Sequence, residues 1–536
     1  MVKKQEKKTK KIEQANAEKE HWPDHVAKKV IETRGNLPEY TVAAGITPSG
    51  VVHMGNFREI MTVHLVGKAL EKLGKKVRFI YSWDDYDVFR KIPANFPKQE
   101  ELKKYLRQPI VDVPDPFDCH KNYAEHNEKV LEKELSSMGV FPTFLYQSKK
   151  YRACEYADGM KTALLKQDKI KEVLDEWRAE DLEGEWSPVR IFCEKCNTDD
   201  TKIIGYDKSY TLSYTCNCGF KNSFDMRKKG NAKLQWRVDW PMRWAFEKVR
   251  FEPSGKEHSS HGGSNTTANE IVKFYDFEPP YHIMYEFISI KGTGGKMSSS
   301  KGNTIDLKEM KSIYEPCVIK YLFVRTIPSK AFEISFDGDV ITLYDAFDRL
   351  ERVYFEAEAP AQENILEQQK SIYEYSAVEI PKKLPFQPGF RHITTVLQLN
   401  VMDELKTYDF FKADVKTKFD EQRLRTRISC AKNWLMNYAP EQFLFKVQES
   451  VQESAKKMSK EHKAALKEFV DLITESMEEE MLEKTFKQVS EKRNIPRSEL
   501  FKSSYLLLLN KELGPRLFNL IKNIGVAKVK ALAKQL

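Results

Sequence analysis

The chain has no apolar run near the roughly 20 residues that a membrane-spanning helix requires. Its longest aliphatic block is Leu506 to Leu509, so no transmembrane segment is expected. The N-terminal stretch MVKKQEKKTKKIEQANAEKE is rich in lysine and lacks an apolar core, so no secretory signal is expected either. Residues 1–20 read as a solvated, disordered leader, and a cytoplasmic location follows as the expectation. Cysteine is sparse, eight in 536 residues. Without a signal segment these argue for metal ligands or free thiols rather than a disulfide framework. Charge of one sign is not greatly in excess either. A net +9 is modest for this length and suits a polyanionic partner such as RNA without demanding one. No internal repeat is visible.

What is present starts with a β–turn–α–β unit. Tyr40 to Ile46 is apolar and β-branched enough for a strand. From Phe57 to Leu73, residues Ile60, Val63, Val66, Leu70 and Leu73 recur at helical spacing, and Gly74 supplies a stop. Val77 to Trp83 reads as a second, buried strand ending in DDYD. This is how a doubly wound α/β sheet opens, and ligands of such sheets bind beyond the carboxyl ends of the strands. Both the turn ITPSGVVHMGN and Asp84-Asp85 fall on that edge.

Residues 95 to 190 read as a mixed, mostly helical insertion, followed by a cysteine-rich segment from Cys193 to Arg227. Sheet-like patterns return at Lys233 to Trp240 and at His282 to Ile290. Beyond Leu343 the patterns are helical, as in YDAFDRLERVYF and RTRISCAKNWLMNYAP. The expected division is a doubly wound α/β domain over 21–340, with inserted helical and cysteine-rich segments at about 95–230, and an all-helical domain over 341–536.

In the first turn, Gly50 and Gly55 let backbone approach a phosphate or a base without a Cβ in the way. The following helix N-terminus favours negative charge, and His53 and Asn56 offer donors there. A second stretch, GTGGKMSSSKGN, combines glycines, serines and two lysines in a loop suited to anions. Alone, each has a plain alternative: a strand-to-helix turn with a solvent-facing histidine, and a solvated surface loop. Together, HMGN and KMSSS resemble the two signatures of class I aminoacyl-tRNA synthetases. With GITPSGVVHMGNFRE, SWDDYD, LQWRVDWPMRW, GKEH, MYEF and the C-terminal GPRL, the chain resembles the class I lysyl-tRNA synthetases from His21 onward. Asn56 stands where the wider class has a final histidine, and Ser299 where it has a second lysine. The lysyl branch shares both features.

The resemblance implies an α/β Rossmann-type catalytic domain and a C-terminal helical domain that binds the anticodon. It implies ATP with Mg²⁺, L-lysine and tRNA(Lys) as reactants, and a lysyl-adenylate as intermediate; a monomer is expected. Catalysis would fall to His53, Asn56, Lys296, Ser299 and Lys301, by positioning and by stabilising charge on phosphates. Lys296 and Lys301 both remain candidates for the triphosphate. The ATP site implied is Pro48, Ser49, Gly50, His53, Gly55, Asn56, Lys296, Met297, Ser298, Ser299 and Ser300.

A lysine pocket needs a carboxylate for the ε-ammonium and aromatics along the stem. Glu59, one turn into the helix after the first signature, is the implied carboxylate. Gly45, Thr47, Trp236, His258 and Tyr285 match the family's other lysine-binding positions. Asp85 and Asp87 are second candidates for ammonium or ribose contacts, with turn capping as their plain alternative.

Two metal sites are expected. Cys193-x2-Cys196 and Cys216-x-Cys218 supply four thiolates from two knuckles, a tetrahedral zinc pattern of structural type. Asp115, Cys119, His120 and His126 form the second set. Their spacing alone leaves open a metal or a polar loop, and the resemblance implies zinc. The basic residues Arg516, Lys522, Lys528, Lys530 and Lys534 near the C-terminus suit phosphate contacts or simply a solvated face. A glutamate-specific enzyme is disfavoured because Glu59 stands where a basic residue would be needed. An RNA-binding protein without catalysis is disfavoured because both signatures are intact for the lysyl branch, and a related nucleotidyltransferase would not need the helical domain.

Overall fold

The computed structural model describes residues 20–94, 96–178, 182, 186–293, 297 and 304–536. Residues 1–19 of the expected leader over 1–20 and the site residues Lys296, Ser298, Ser299, Ser300 and Lys301 lie outside them. The chain divides into two compact units. The first holds the described residues up to Met310, with Ile319–Ile334 and Ala359–Ile380; the second holds Lys311–Val318, Ser335–Glu358 and Pro381–Leu536.

The first unit is organised by a four-stranded parallel sheet. Strand β1 (Glu39–Ile46) leads through helix α1 (Met54–Lys72) to β2 (Lys76–Trp83), which pairs with β1 from Glu39↔Lys76 to Ile46↔Trp83. Gly74, at φ +77°, lets the chain reverse between α1 and β2. Strand β3 (Thr143–Tyr146) pairs with β2, and a later strand, Val249–Phe251, pairs with β1 on its other side. The order therefore reverses at β1, and its carboxyl end, Gly45–Ile46, opens at the switch point where such sheets bind ligands. β3 lies inside the stretch expected to be a mostly helical insertion.

The cysteine-rich segment is a three-stranded antiparallel ribbon, β4 (Thr201–Tyr206), β5 (Thr211–Cys216) and β6 (Lys221–Asp225). The stretch Lys233 to Trp240, expected as sheet, is mostly helix. A strand, β7 (Ala232–Leu234), ends there, and helix α2 runs Trp236–Glu247. The sequence LQWRVDW alternates as a strand would, but Trp236, Trp240 and Trp244 repeat every four residues. The ring pairs Trp236–Trp240, at 5.1 Å, and Trp240–Trp244, at 4.7 Å, form one helical stripe. After β8 (Val249–Phe251), short parallel pairs join β9 (Ser254–Gly255) to β10 (Met284–Tyr285) and β11 (Ile288–Ile290) to β12 (Phe332–Ile334).

In the second unit the described residues beyond Ser335 contain helices and no strand. A core of Leu466, Phe469, Phe486, Leu508 and Leu520 packs its C-terminal helices. A buried charge cluster packs the other end. Arg427 donates to Glu315 at 2.6 Å and to both Asp348 oxygens at 2.7 and 2.8 Å, while Arg423 pairs with Glu315 and Glu351. Removing one partner of such a cluster would leave a buried charge uncompensated. No helix of the described residues is long and apolar enough to cross a membrane.

Candidate active site

The turn after β1 builds its own helix cap. His53 Nδ1 accepts from the Gly55 amide at 3.1 Å, and Asn56 Oδ1 accepts from the His53 amide at 3.4 Å. With Nδ1 accepting, a neutral ring carries its proton on Nε2. A Cβ on Gly55 would come within 2.9 Å of the His53 ring, so the cap requires glycine there. Gly50 has no such constraint, since a Cβ would meet only Pro93, at 3.8 Å. Met297, the described residue of the second signature, comes to the same place. The Met54 amide donates to Ile305 O at 2.8 Å, His53 pairs with Asp306, and buried Met297 lines the same cavity as His53 and Asn56.

That cavity, ≈ 460 Å³, also exposes Gly45, Glu59, His258 and Tyr285. Its size suits a small-molecule site. The Glu59 carboxylate accepts from the Gly45 amide at 3.1 Å and from the Tyr285 hydroxyl at 2.6 Å. Burial pushes its pKa up to about 8; neighbouring Glu252 and Asp84 add to the rise, and the two hydrogen bonds oppose it. No cation among the described residues pairs with it. Its acidic neighbours are matched. Glu252 accepts from the Trp240 and Trp244 indoles at 3.0 and 2.6 Å, and Asp84 accepts from Arg243 at 2.6 Å. Gly45 is held tight against β2, where an added Cβ would lie 2.8 Å from Ser82 O.

Two of the six expected lysine-pocket residues lie elsewhere. Thr47 and Trp236 line a second cavity of ≈ 330 Å³, which also includes Ser49 and Asp87. The Thr47 hydroxyl donates to Asp87 Oδ2 at 2.8 Å, and Asp87 pairs with Lys233. The Trp236 ring still meets that of His258, 6.1 Å away in the first cavity. Asp85 is turned into the fold, where it accepts from the Ser148 amide at 2.7 Å and from its hydroxyl.

The turn is braced by residues that the sequence reading did not single out. Helix Tyr123–Ser137 places the buried Tyr123 hydroxyl 2.8 Å from Ser49 O and the Asn127 amide 3.3 Å from Pro48 O. Their spacing of four on one helix face was the available signal. The same helix begins at the second expected metal set. There Cys119 Sγ lies 3.1 Å from His120 Nδ1 and 3.2 Å from His126 Nδ1, and Asp115 Oδ1 lies 3.6 Å from His126. Burial acts to raise the Asp115 pKa, but the amides of Phe117, Cys119 and His120 outweigh it and hold the carboxyl below its usual range. In the ribbon, Cys193 and Cys218 sulfurs are 3.7 Å apart and those of Cys196 and Cys216 3.6 Å apart. Tetrahedral bonds of about 2.3 Å to zinc separate sulfurs by about 3.8 Å, so the donor set fits that ion. In each set the ligand atoms lie within 4.8 Å of one another.

Residues 20–379 match the family described as tRNA synthetases class I (K), and the chain belongs to that family. The relatives are more particular. The chain is 42% identical to the lysine–tRNA ligase of Borreliella burgdorferi over 519 residues, covering 96% of this chain and 99% of that one. It is 40% identical to the lysine–tRNA ligase of Thermococcus kodakarensis over 512 residues, covering 93% and 96%. Among solved structures, a glutamate tRNA ligase from Elizabethkingia meningosepticum is similar over 92% of this chain and 98% of its own, at 14% identity and a TM-score of 0.45.

The raised Glu59 pKa has a stability consequence. Below the ordinary carboxyl pKa the group is neutral in both folded and unfolded chains. As pH rises towards about 8 the unfolded chain ionises first, and stability is lost. Glu59→Gln is therefore expected to melt higher than the wild type at pH 8 without ligand, with the gap closing towards pH 5. A melting series over that range checks this; a pH-independent gap would contradict it.

Proposed function

We propose that the chain joins L-lysine to tRNA(Lys) in two ATP-driven steps through a lysyl-adenylate. The observation that carries this reading is the Glu59 carboxylate, desolvated and with no cation among the described residues, inside the cavity that the HMGN turn and Met297 share. An ε-ammonium supplies the missing charge. A glutamate side chain would instead place a second carboxylate there, which disfavours a glutamate substrate.

In the first step the lysine carboxylate attacks the α-phosphorus of ATP and pyrophosphate leaves. The protein's work is positioning and charge stabilisation. His53, with its ring fixed by the Gly55 amide, and Asn56 donate to phosphate oxygens at the helix N-terminus. Pro48, Ser49 and Gly50 form the turn braced by Tyr123 and Asn127. By resemblance, Lys296 and Lys301 with the intervening serines close over the triphosphate, and Mg²⁺ carried with ATP offsets phosphate charge. Tyr285 orients Glu59, while Gly45 and His258 complete the amino-acid pocket. The helical second unit carries the anticodon contacts, and the reaction runs in the cytoplasm.

Both metal sets are assigned zinc in a structural role. Four thiolates close the ribbon; Asp115, Cys119, His120 and His126 pin the start of the helix that braces the turn. Elemental analysis of the purified chain should give two zinc ions. A value of one would remove the second assignment, and none would remove both.

The function is tested by pyrophosphate exchange into ATP across the twenty amino acids, with and without tRNA. Exchange is expected with lysine alone. Exchange with another amino acid would overturn the pocket reading, and none under any condition would overturn the enzymatic one.

A further inference from the structure

Arg58 and Glu59 are consecutive on α1, and their side chains go to different places. Glu59 reaches Gly45 and Tyr285 in the cavity. Arg58 is only 2% exposed and reaches the turn at 327–330, which follows the helix Pro316–Arg325. Its Nη2 lies 3.1, 2.9 and 2.7 Å from the carbonyl oxygens of Ile327, Pro328 and Lys330. The guanidinium also stands 5.0 Å over the ring of Phe332, the first residue of β12. Carbonyls only accept and a guanidinium only donates, so the side chain and the turn are complementary. Burial pulls the Arg58 pKa down to about 10, which still leaves it charged at neutral pH.

That turn holds the strand that carries Tyr285. The Pro328 carbonyl, besides meeting Arg58, accepts from the Glu286 amide at 2.9 Å. Glu286 lies between two paired segments: β10, which ends at Tyr285 and pairs with β9, and β11, which starts at Ile288 and pairs with β12. Two consecutive residues of this stretch are thus fastened to two consecutive residues of α1. Tyr285 meets Glu59 through its hydroxyl at 2.6 Å, and Glu286 meets Arg58 through the shared carbonyl. The ring of contacts closes through two peptide bonds. A phenol held at its oxygen alone can swing with its backbone; an anchor one residue away limits that swing. The placement matters for the pocket because the Tyr285 hydroxyl is one of two donors to Glu59, and such a bond favours the ionised carboxylate that receives an ammonium.

We propose that Arg58 is a positioning residue for lysine recognition: by clamping the turn at 327–330 it fixes the strand that presents Tyr285 to Glu59. Arg58 acts through that strand, without contacting substrate. The assignment rests on the lysine-pocket reading above.

The test is lysine-driven pyrophosphate exchange by the full chain with tRNA(Lys) present. The proteins are wild type, Arg58→Gln, Arg58→Lys, Tyr285→Phe, and each Arg58 change combined with Tyr285→Phe. Arg58→Gln should raise the lysine KM about tenfold. Arg58→Lys, which keeps the charge on a differently shaped head, should raise it about fourfold. The ATP KM and kcat should change less than about twofold. On the Tyr285→Phe background either Arg58 change should add less than about 1.5-fold, because both act through one hydrogen bond. Effects that multiply in the double variants would mean that Arg58 acts independently of Tyr285, and would overturn the proposal. So would an unchanged lysine KM, or a loss of kcat alone, which is the mark of a residue that only holds the fold. If Arg58→Gln does not fold, the Arg58→Lys cycle decides by the same criteria. Failure of the charging reading itself would appear separately, as wild-type protein without lysine-dependent exchange.

Discussion

A carboxylate held out of water is costly unless its charge is answered, and among the described residues no cation pairs with Glu59. Its two partners are a backbone amide and a phenol, and each is placed by the sheet. Gly45 presents its N–H because β1 lies so close to β2 that no Cβ fits against Ser82. Tyr285 reaches Glu59 because β10 runs parallel to β9, pairing Tyr285 with Gly255. Two carboxylates near Glu59 are answered, Glu252 by two tryptophan indoles and Asp84 by Arg243. Glu59, without a cation among the described residues, sits by its Gly45 partner at the carboxyl end of β1, where the strand order reverses.

The anion-binding side is assembled by different means. The HMGN turn caps its own helix through His53 and Asn56, which fixes the imidazole before any ligand arrives. The carbonyls of Pro48 and Ser49 are held from another helix, whose first turn carries one of the two candidate metal sets. An ion there and the turn at the sheet edge are therefore linked through a single helix. This gives the candidate metal set a physical route to the turn that follows β1.

Much of this was legible in the sequence because it rests on local pattern. The strand–turn–helix around HMGN, the stop at Gly74 and the paired cysteines are all short-range signals, and Glu59, Tyr285, His258 and Met297, each named from a motif, line one cavity. What was not legible depends on distant partners or competing periods. Thr143–Tyr146 is four residues long and becomes a strand only by pairing with β2. Trp236 to Trp240 satisfies both a two-residue and a four-residue repeat, and the stripe continued by Trp244 decides for helix. Tyr123 and Asn127 act on carbonyls 74 and 79 positions earlier in the chain, a contact no local pattern encodes.

The central claim is that lysine supplies the counter-charge that Glu59 lacks, and proton release on binding tests it most directly. With a pKa of about 8 when empty, Glu59 is mostly protonated at pH 7. An ammonium bound to the ionised form must expel that proton. Calorimetric titration of lysine at pH 7, in buffers of different ionisation enthalpy, should show about one proton released per lysine bound by the wild type and none by Glu59→Gln. A wild-type binding heat independent of the buffer would mean that lysine does not meet this carboxylate, and would contradict the account.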